Sequence, residues 1–294
     1  MSEVANQPSA SDYIVHHLTH WQNKPQTEIV DFTVFNIDSI FFSVLLGVLG
    51  SFFLWRAARK ATSGVPGRFQ AAVEMLFEMV DGQAKSIVHN ATSRKMVAPM
   101  ALTVFVWIFL LNAMDLLPLD LLPVIWSGVY SAAGLDPHHA YLRVVPTADL
   151  SVTMGLSVSV LFICLFYNIK IKGIGGWAHE LVSAPFGTSK NPIFAVILGV
   201  INIAEQLISF VAKTVSHGMR LFGNMYAGEL VFMLIALLGG SWAMSAEPTS
   251  LMLLLLHVVA GWAWAVFHII IILLQAFVFM MLTLVYIGQA HDAH

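Results

Sequence analysis

Residues 192–238 read PIFAVILGVINIAEQLISFVAKTVSHGMRLFGNMYAGELVFMLIALL. The run is apolar almost throughout, yet it carries Lys213, Arg220 and Glu229. A helix crosses about 30 Å of hydrocarbon with about 20 residues. At about 1.5 Å per residue this run would extend roughly 70 Å. A second run, 251–288, would extend roughly 55 Å by the same rise. No proline falls between Ile193 and Glu247, and none follows Pro248. Both runs therefore predict long, continuous helices lying steeply tilted in a bilayer. Three further runs, 39–56, 98–119 and 148–168, have ordinary spanning lengths.

Composition agrees. Of 294 residues 58% are hydrophobic and 11% charged, against about 25% charged in a soluble domain. Mean hydropathy is +0.78. The chain predicts one all-α integral membrane domain over 1–294, with no soluble catalytic module. Net charge is −3, which leaves no nucleic-acid footprint. Twelve histidines in so apolar a chain suggest proton handling. The lone Cys164 has no partner for a disulfide and reads as a small hydrophobe. Segment 1–38 is polar and lacks the basic start and short apolar core of a signal peptide.

Orientation follows from the basic loops. Arg56, Arg59, Lys60, Arg68, Lys85, Arg94 and Lys95 lie between the first and second runs, and Lys170, Lys172 and Lys190 between the third and fourth. The opposite side holds only Lys24 and Arg143, against Asp115, Asp120, Asp136 and Glu247. Five crossings then place the N-terminus outside and the C-terminus in the cytoplasm. Within 66–92, Phe69, Val73, Leu76, Val80, Ala84 and Ile87 recur at helical spacing. This predicts an amphipathic helix on the cytoplasmic surface. Gly173, Gly175 and Gly176 read as a plain turn, since no strand precedes them and no Lys-Ser/Thr pair follows.

Within 192–238, Ser216, Arg220 and Asn224 stand four residues apart and share one helix face. A charge at mid-bilayer costs at least about 2.5–3.5 kcal/mol, so Arg220 is the leading functional candidate. Lys213 reads equally as a snorkelling anchor or a path residue. On the last run His257, His268 and Gln275 fall near one face. One short loop, 239–250, makes the last two helices antiparallel. Glu229 lies nine residues outward of Arg220, and His268 seven outward of Gln275, or about 13 and 10 Å along the axes. Glu229 and His268 should then share a depth as a proton relay, with Arg220 beside Gln275 as a fixed positive gate. Asn112 and Asp115, at the outer end of the second run, suggest a hydrated vestibule. Asp149 reads equally as part of it or as a helix cap. No metal-ligand spacing such as HExxH occurs, and no cofactor site is indicated.

The segment Ser216-His-Gly-Met-Arg220-Leu-Phe-Gly-Asn224-Met-Tyr-Ala-Gly-Glu229 resembles the signature of the a-subunit family of bacterial ATP synthases. So do Phe267-His268 through Gln275, Asn112 through Pro123, Arg143-Val-Val-Pro-Thr-Ala-Asp149 and Lys60 through Arg68. The resemblance implies a non-catalytic stator of the inner (plasma) membrane, facing a ring of c subunits and assembled with peripheral-stalk b subunits and the rest of the synthase. Two offset half-channels would carry protons to and from ring carboxylates. Arg220 would be the essential arginine. Glu229, His268 and Gln275 match outer half-channel positions, with Asn112 and Asp115 nearer its mouth. Ser216 and Asn224 match positions near the arginine and the inner route, where Lys213 also falls. Glu205 and Gln206 share the place of one family acid. Two readings from other classes compete. A proton-coupled secondary transporter would work without a ring. A haem-binding respiratory subunit would need histidines on facing helices, whereas His257 and His268 share one.

Overall fold

The computed structural model describes residues 10–26, 31, 33–62, 64–137, 140–189, 191–240 and 248–291. Lys190, Glu247 and most of the 239–250 connection lie outside the described residues, as does part of segment 1–38. The elements are α1 (Ala10–Leu18), α2 (Ile37–Lys60), α3 (Arg68–Ile87), α4 (Ala91–Ala113), α5 (Leu121–Ala132), α6 (Leu150–Ser183), α7 (Pro192–Gly240) and α8 (Pro248–Gln289). Short 3-10 turns lie at Met114–Leu116 and Pro146–Ala148. No strand occurs among the described residues. The protein is all-α, and α2, α4, α6, α7 and α8 are long and apolar enough to cross a membrane.

The two long helices are continuous, at 49 and 42 residues. Each begins on a proline, Pro192 or Pro248, whose missing N–H is harmless in a first turn. Lengths this far beyond the hydrocarbon thickness require tilt. In α2 the guanidinium of Arg59 sits over the Trp55 ring at 4.9 Å, an aromatic–cation anchor suited to a membrane interface. Pro99 lies inside α4, and Thr103 Oγ1 donates to its carbonyl at 2.9 Å.

Four elements differ from the sequence expectation. α6 runs past 168 to Ser183, and its glycine-rich stretch is helical on both sides of Gly173. Only Gly173, at φ +74°, leaves the helix, a conformation open to glycine without steric cost. α1 and α5 were not anticipated. Both are too short to span, so hydropathy windows pass over them. The amphipathic helix is shorter than 66–92. Val80 and Ala84 are buried along it, while Phe69 is exposed.

The chain packs as two compact units. The first comprises Met1–Leu49, Phe109–Val152 and Phe222–Gln275; the second comprises Gly50–Ile108, Thr153–Leu221 and Ala276–His294. In the first, the N-terminal segment is pinned where Gln22 bridges Asn36, Ile37 N–H donates to the Trp21 carbonyl at 2.8 Å, and Trp21 packs on Trp126 of α5 at 5.3 Å. In the second, Ser157 of α6 donates to the Thr214 carbonyl of α7 at 2.5 Å. There α3 also meets the end of α8, where a Cβ at Gly288 would lie 2.6 Å from Ile87 Cγ2. Gly288→Val should therefore destabilise the protein by about 1–3 kcal/mol through overpacking. A thermal melt in detergent checks this, with Gly288→Ala falling between wild type and valine.

Candidate functional site

The first unit concentrates its buried charge around Arg143, in the connection leading into the Pro146–Ala148 turn. Arg143 is 5% exposed and Glu229, on α7, 3%. Their ion pair closes at 2.5 Å from Nη2 to Oε2, and Nε donates to the same carboxylate at 3.2 Å. This two-pronged geometry suits a guanidinium and a carboxylate. Nη1 lies 3.1 Å from His20 Nε2, and the guanidinium sits over the Tyr226 ring at 5.4 Å. Asp38, at the start of α2, extends the network. Its carboxylate accepts from the Arg143 backbone N–H at 2.9 Å and the Trp21 N–H at 3.0 Å, and lies 3.3 Å from His20 Nδ1. A chain of contacts thus runs Asp38, His20, Arg143, Glu229.

A second buried pair stands beside it. His268 Nε2 of α8 lies 2.6 Å from Asp115 Oδ2, and Phe232 packs edge-on to the imidazole at 5.2 Å. The space for this pair exists because residue 228 is glycine. A Cβ there would overlap His268 Cε1 and sit 3.2 Å from Asp115 Oδ2. A cavity of about 30 Å³ is lined by Asp115, Arg143, Glu229 and His17, room for about one water. Asn112 is fully buried, and neither atom of its amide has a hydrogen bond among the described residues. Buried amides left this way are ordinarily satisfied by water.

The structure thus re-pairs two residues matched by depth. The hydrogen bonds of Glu229 go to Arg143 and the close contact of His268 goes to Asp115, instead of to each other. Gln275 is buried and its Oε1 accepts from Asn224 Nδ2 at 2.7 Å. Asp149 Oδ1 accepts from Ser151 N–H at 2.8 Å, a cap on α6, and its Oδ2 accepts from Asn36 at 2.7 Å. His257 Nδ1 is 2.7 Å from the Ile235 carbonyl and packs against Gly239, a tie between α7 and α8. Asn224 is exposed, as are Gly223 and Ala227.

In the second unit Ser216 and Arg220 are exposed on α7. Lys213 turns elsewhere: its Nζ donates to Gln289 Oε1 at 3.1 Å and lies 5.7 Å from the Tyr286 ring centroid. It borders a cavity of about 430 Å³ shared with Glu205, Gln206 and Ser209. Sequence reasoning missed Arg143, His20 and Asp38 as site residues, and His217 in that cavity wall. In the sequence Arg143 reads as a loop charge and opens one family-like segment, although a cation on the cation-poor side, set between Leu142 and Val144, is a usable signal.

Comparisons with known proteins agree in one direction. The model of the family described as ATP synthase A chain matches residues 40–288. The chain is similar to the ATP synthase subunit a of Paracidovorax citrulli strain AAC00-1 and to that of Acidovorax sp. strain JS42, each 68% identical over 294 residues. It is 63% identical over 294 residues to the subunit a of Verminephrobacter eiseniae strain EF01-2. In all three the match covers 100% of both chains.

Breaking a buried ion pair from one side costs about 3–5 kcal/mol. Arg143→Met should therefore destabilise the protein by that order, and Arg143→Met with Glu229→Gln by less. A double-mutant cycle on detergent melts reads the difference. Gly228→Ala should displace the His268 ring, seen as a changed imidazole resonance in NMR of histidine-labelled protein.

Proposed function

This chain belongs to the ATP synthase A chain family, and on that premise we propose that it is the stator against which a ring of c subunits turns, with Arg220 as the barrier between two proton paths. It is a non-catalytic, proton-translocating, multi-pass membrane subunit of an ATP synthase. The observation that carries the finer reading is the bare face of α7. Ser216, Arg220, Gly223, Asn224 and Ala227 are all exposed, and their spacing sets them on one stripe of a continuous helix. Only 11% of the most apolar stretch of α7 is buried. A cation on such a surface needs a partner, and a ring carboxylate supplies one. The small residues Gly223 and Ala227 permit close approach.

The chemistry follows from the guanidinium. It does not deprotonate in a protein, so it carries no proton across. It repels a proton at the crossing point and holds a passing carboxylate ionised. Lysine titrates more readily when buried and would make a leakier barrier. One proton crossing 100 mV releases about 2.3 kcal/mol, which reaches rotation only if that leak is closed.

On the outer path, the His268–Asp115 pair, the small cavity beside Glu229 and the unsatisfied Asn112 amide support a hydrated route toward Asn224 and Gln275. Glu229 is a charge held by Arg143 within that route, and Asp149 secures its rim by capping α6. On the inner path, the cavity beside Lys213 supports entry from the cytoplasmic side, with Ser216 near its end. The basic loops support a bacterial inner membrane location with the N-terminus periplasmic and the C-terminus cytoplasmic. The b subunits of a peripheral stalk complete the assembly. A secondary transporter finds no favouring observation.

Arg220→Ala should abolish ATP-driven acidification of inverted vesicles while the complex still assembles. Normal acidification by an assembled alanine variant would contradict the barrier role.

A further inference from the structure

The cavity beside Lys213 has a feature the proton-path reading does not use. On α7 its wall rises through Glu205, Ser209, Lys213 and His217, each four residues after the last, so one helical face lines it. His217 is the last α7 residue in that wall and stands three residues before Arg220. It is 2% exposed, and its Nε2 has no hydrogen bond among the described residues. Its ring lies against Phe279, tilted by 36° with centroids 3.8 Å apart, and meets Tyr286 edge-on at 5.9 Å. A buried imidazole nitrogen without a protein partner is ordinarily satisfied by water, and the cavity of about 430 Å³ that His217 lines has room for many waters.

We propose that His217 is the proton-carrying residue in the wall of the cavity beside Lys213, relaying protons between its water and the ring carboxylate at Arg220. The inference rests on the stator reading above. The step is a plain proton exchange. The ring carboxylic acid gives its proton through water to the imidazole, leaving a carboxylate facing Arg220. The imidazolium then returns that proton to cavity water and is neutral again. The charged and titratable groups that share the cavity wall with His217 are Glu205 and Lys213 on α7, Cys164 and Glu180 on α6 and Tyr286 on α8, and Arg220 stands three residues further along α7. An imidazole can accept a proton at one ring nitrogen and give it back, which a relay requires.

The test uses the assembled synthase in inverted vesicles. His217→Phe keeps a ring against Phe279 and removes both ring nitrogens. It should slow passive proton flow through the membrane sector at least about tenfold and flatten its dependence on pH near neutrality. His217→Gly should be slow as well, and added imidazole should restore flow, with the pH dependence following the proton affinity of the base when methylimidazoles replace it. Wild-type flow and an unchanged pH profile in His217→Phe would overturn the proposal. So would a slow His217→Gly that no base restores, which would make His217 a packing residue. Should the phenylalanine variant fail to assemble, the rescue series on His217→Gly decides alone. Failure of this relay leaves the barrier role of Arg220 standing, whereas normal coupling in Arg220→Ala removes the stator reading independently of any His217 result.

Discussion

A charge removed from water must be met by another, and the first unit is arranged around that requirement at Arg143. Its guanidinium reaches Glu229 on α7, its backbone N–H reaches Asp38 at the head of α2, and His20 closes the gap between them. Four distant parts of the chain are tied through one cation. Remove it and Glu229 becomes a buried anion with no counter-charge, a cost that packing cannot offset. The same requirement explains the N-terminal segment. Outside a span and without hydropathy to order it, it is held by Trp21 and His20 serving the Asp38 carboxylate.

The polar groups divide as the chain divides. The first unit holds Asp38, Arg143, Glu229 and the His268–Asp115 pair. The second holds the cavity with Lys213 and His217. The boundary along α7 falls between Leu221 and Phe222. Each unit thus has its own polar interior.

Most of the fold was legible because its rules are one-dimensional. Hydropathy and proline placement are read along the chain, and they gave five spans, two of them overlong. The helices α1 and α5 fall below spanning length and left no such signal. At the site, identity was legible and partnership was not. Spacing along α7 and α8 gives depth but not which way a side chain points around the axis. Glu229 and His268 were matched by depth, but Arg143 and Asp115 come from irregular segments whose approach no helical period encodes. Gly228 shows the difficulty well. It reads as one more small residue in a motif, and only the imidazole lying where its Cβ would be reveals what it is for. His217 was hidden for the opposite reason, sitting inside the most recognisable segment of the chain beside the more arresting Arg220.

The bare face of α7 has a consequence for biogenesis. Before any partner arrives, that face meets lipid, and the guanidinium of Arg220 pulls water and headgroups inward around it. A surface bearing carboxylates relieves that distortion on contact. Alone, the chain thus carries an uncovered cation on an apolar helix, and the surrounding bilayer has to bear its cost.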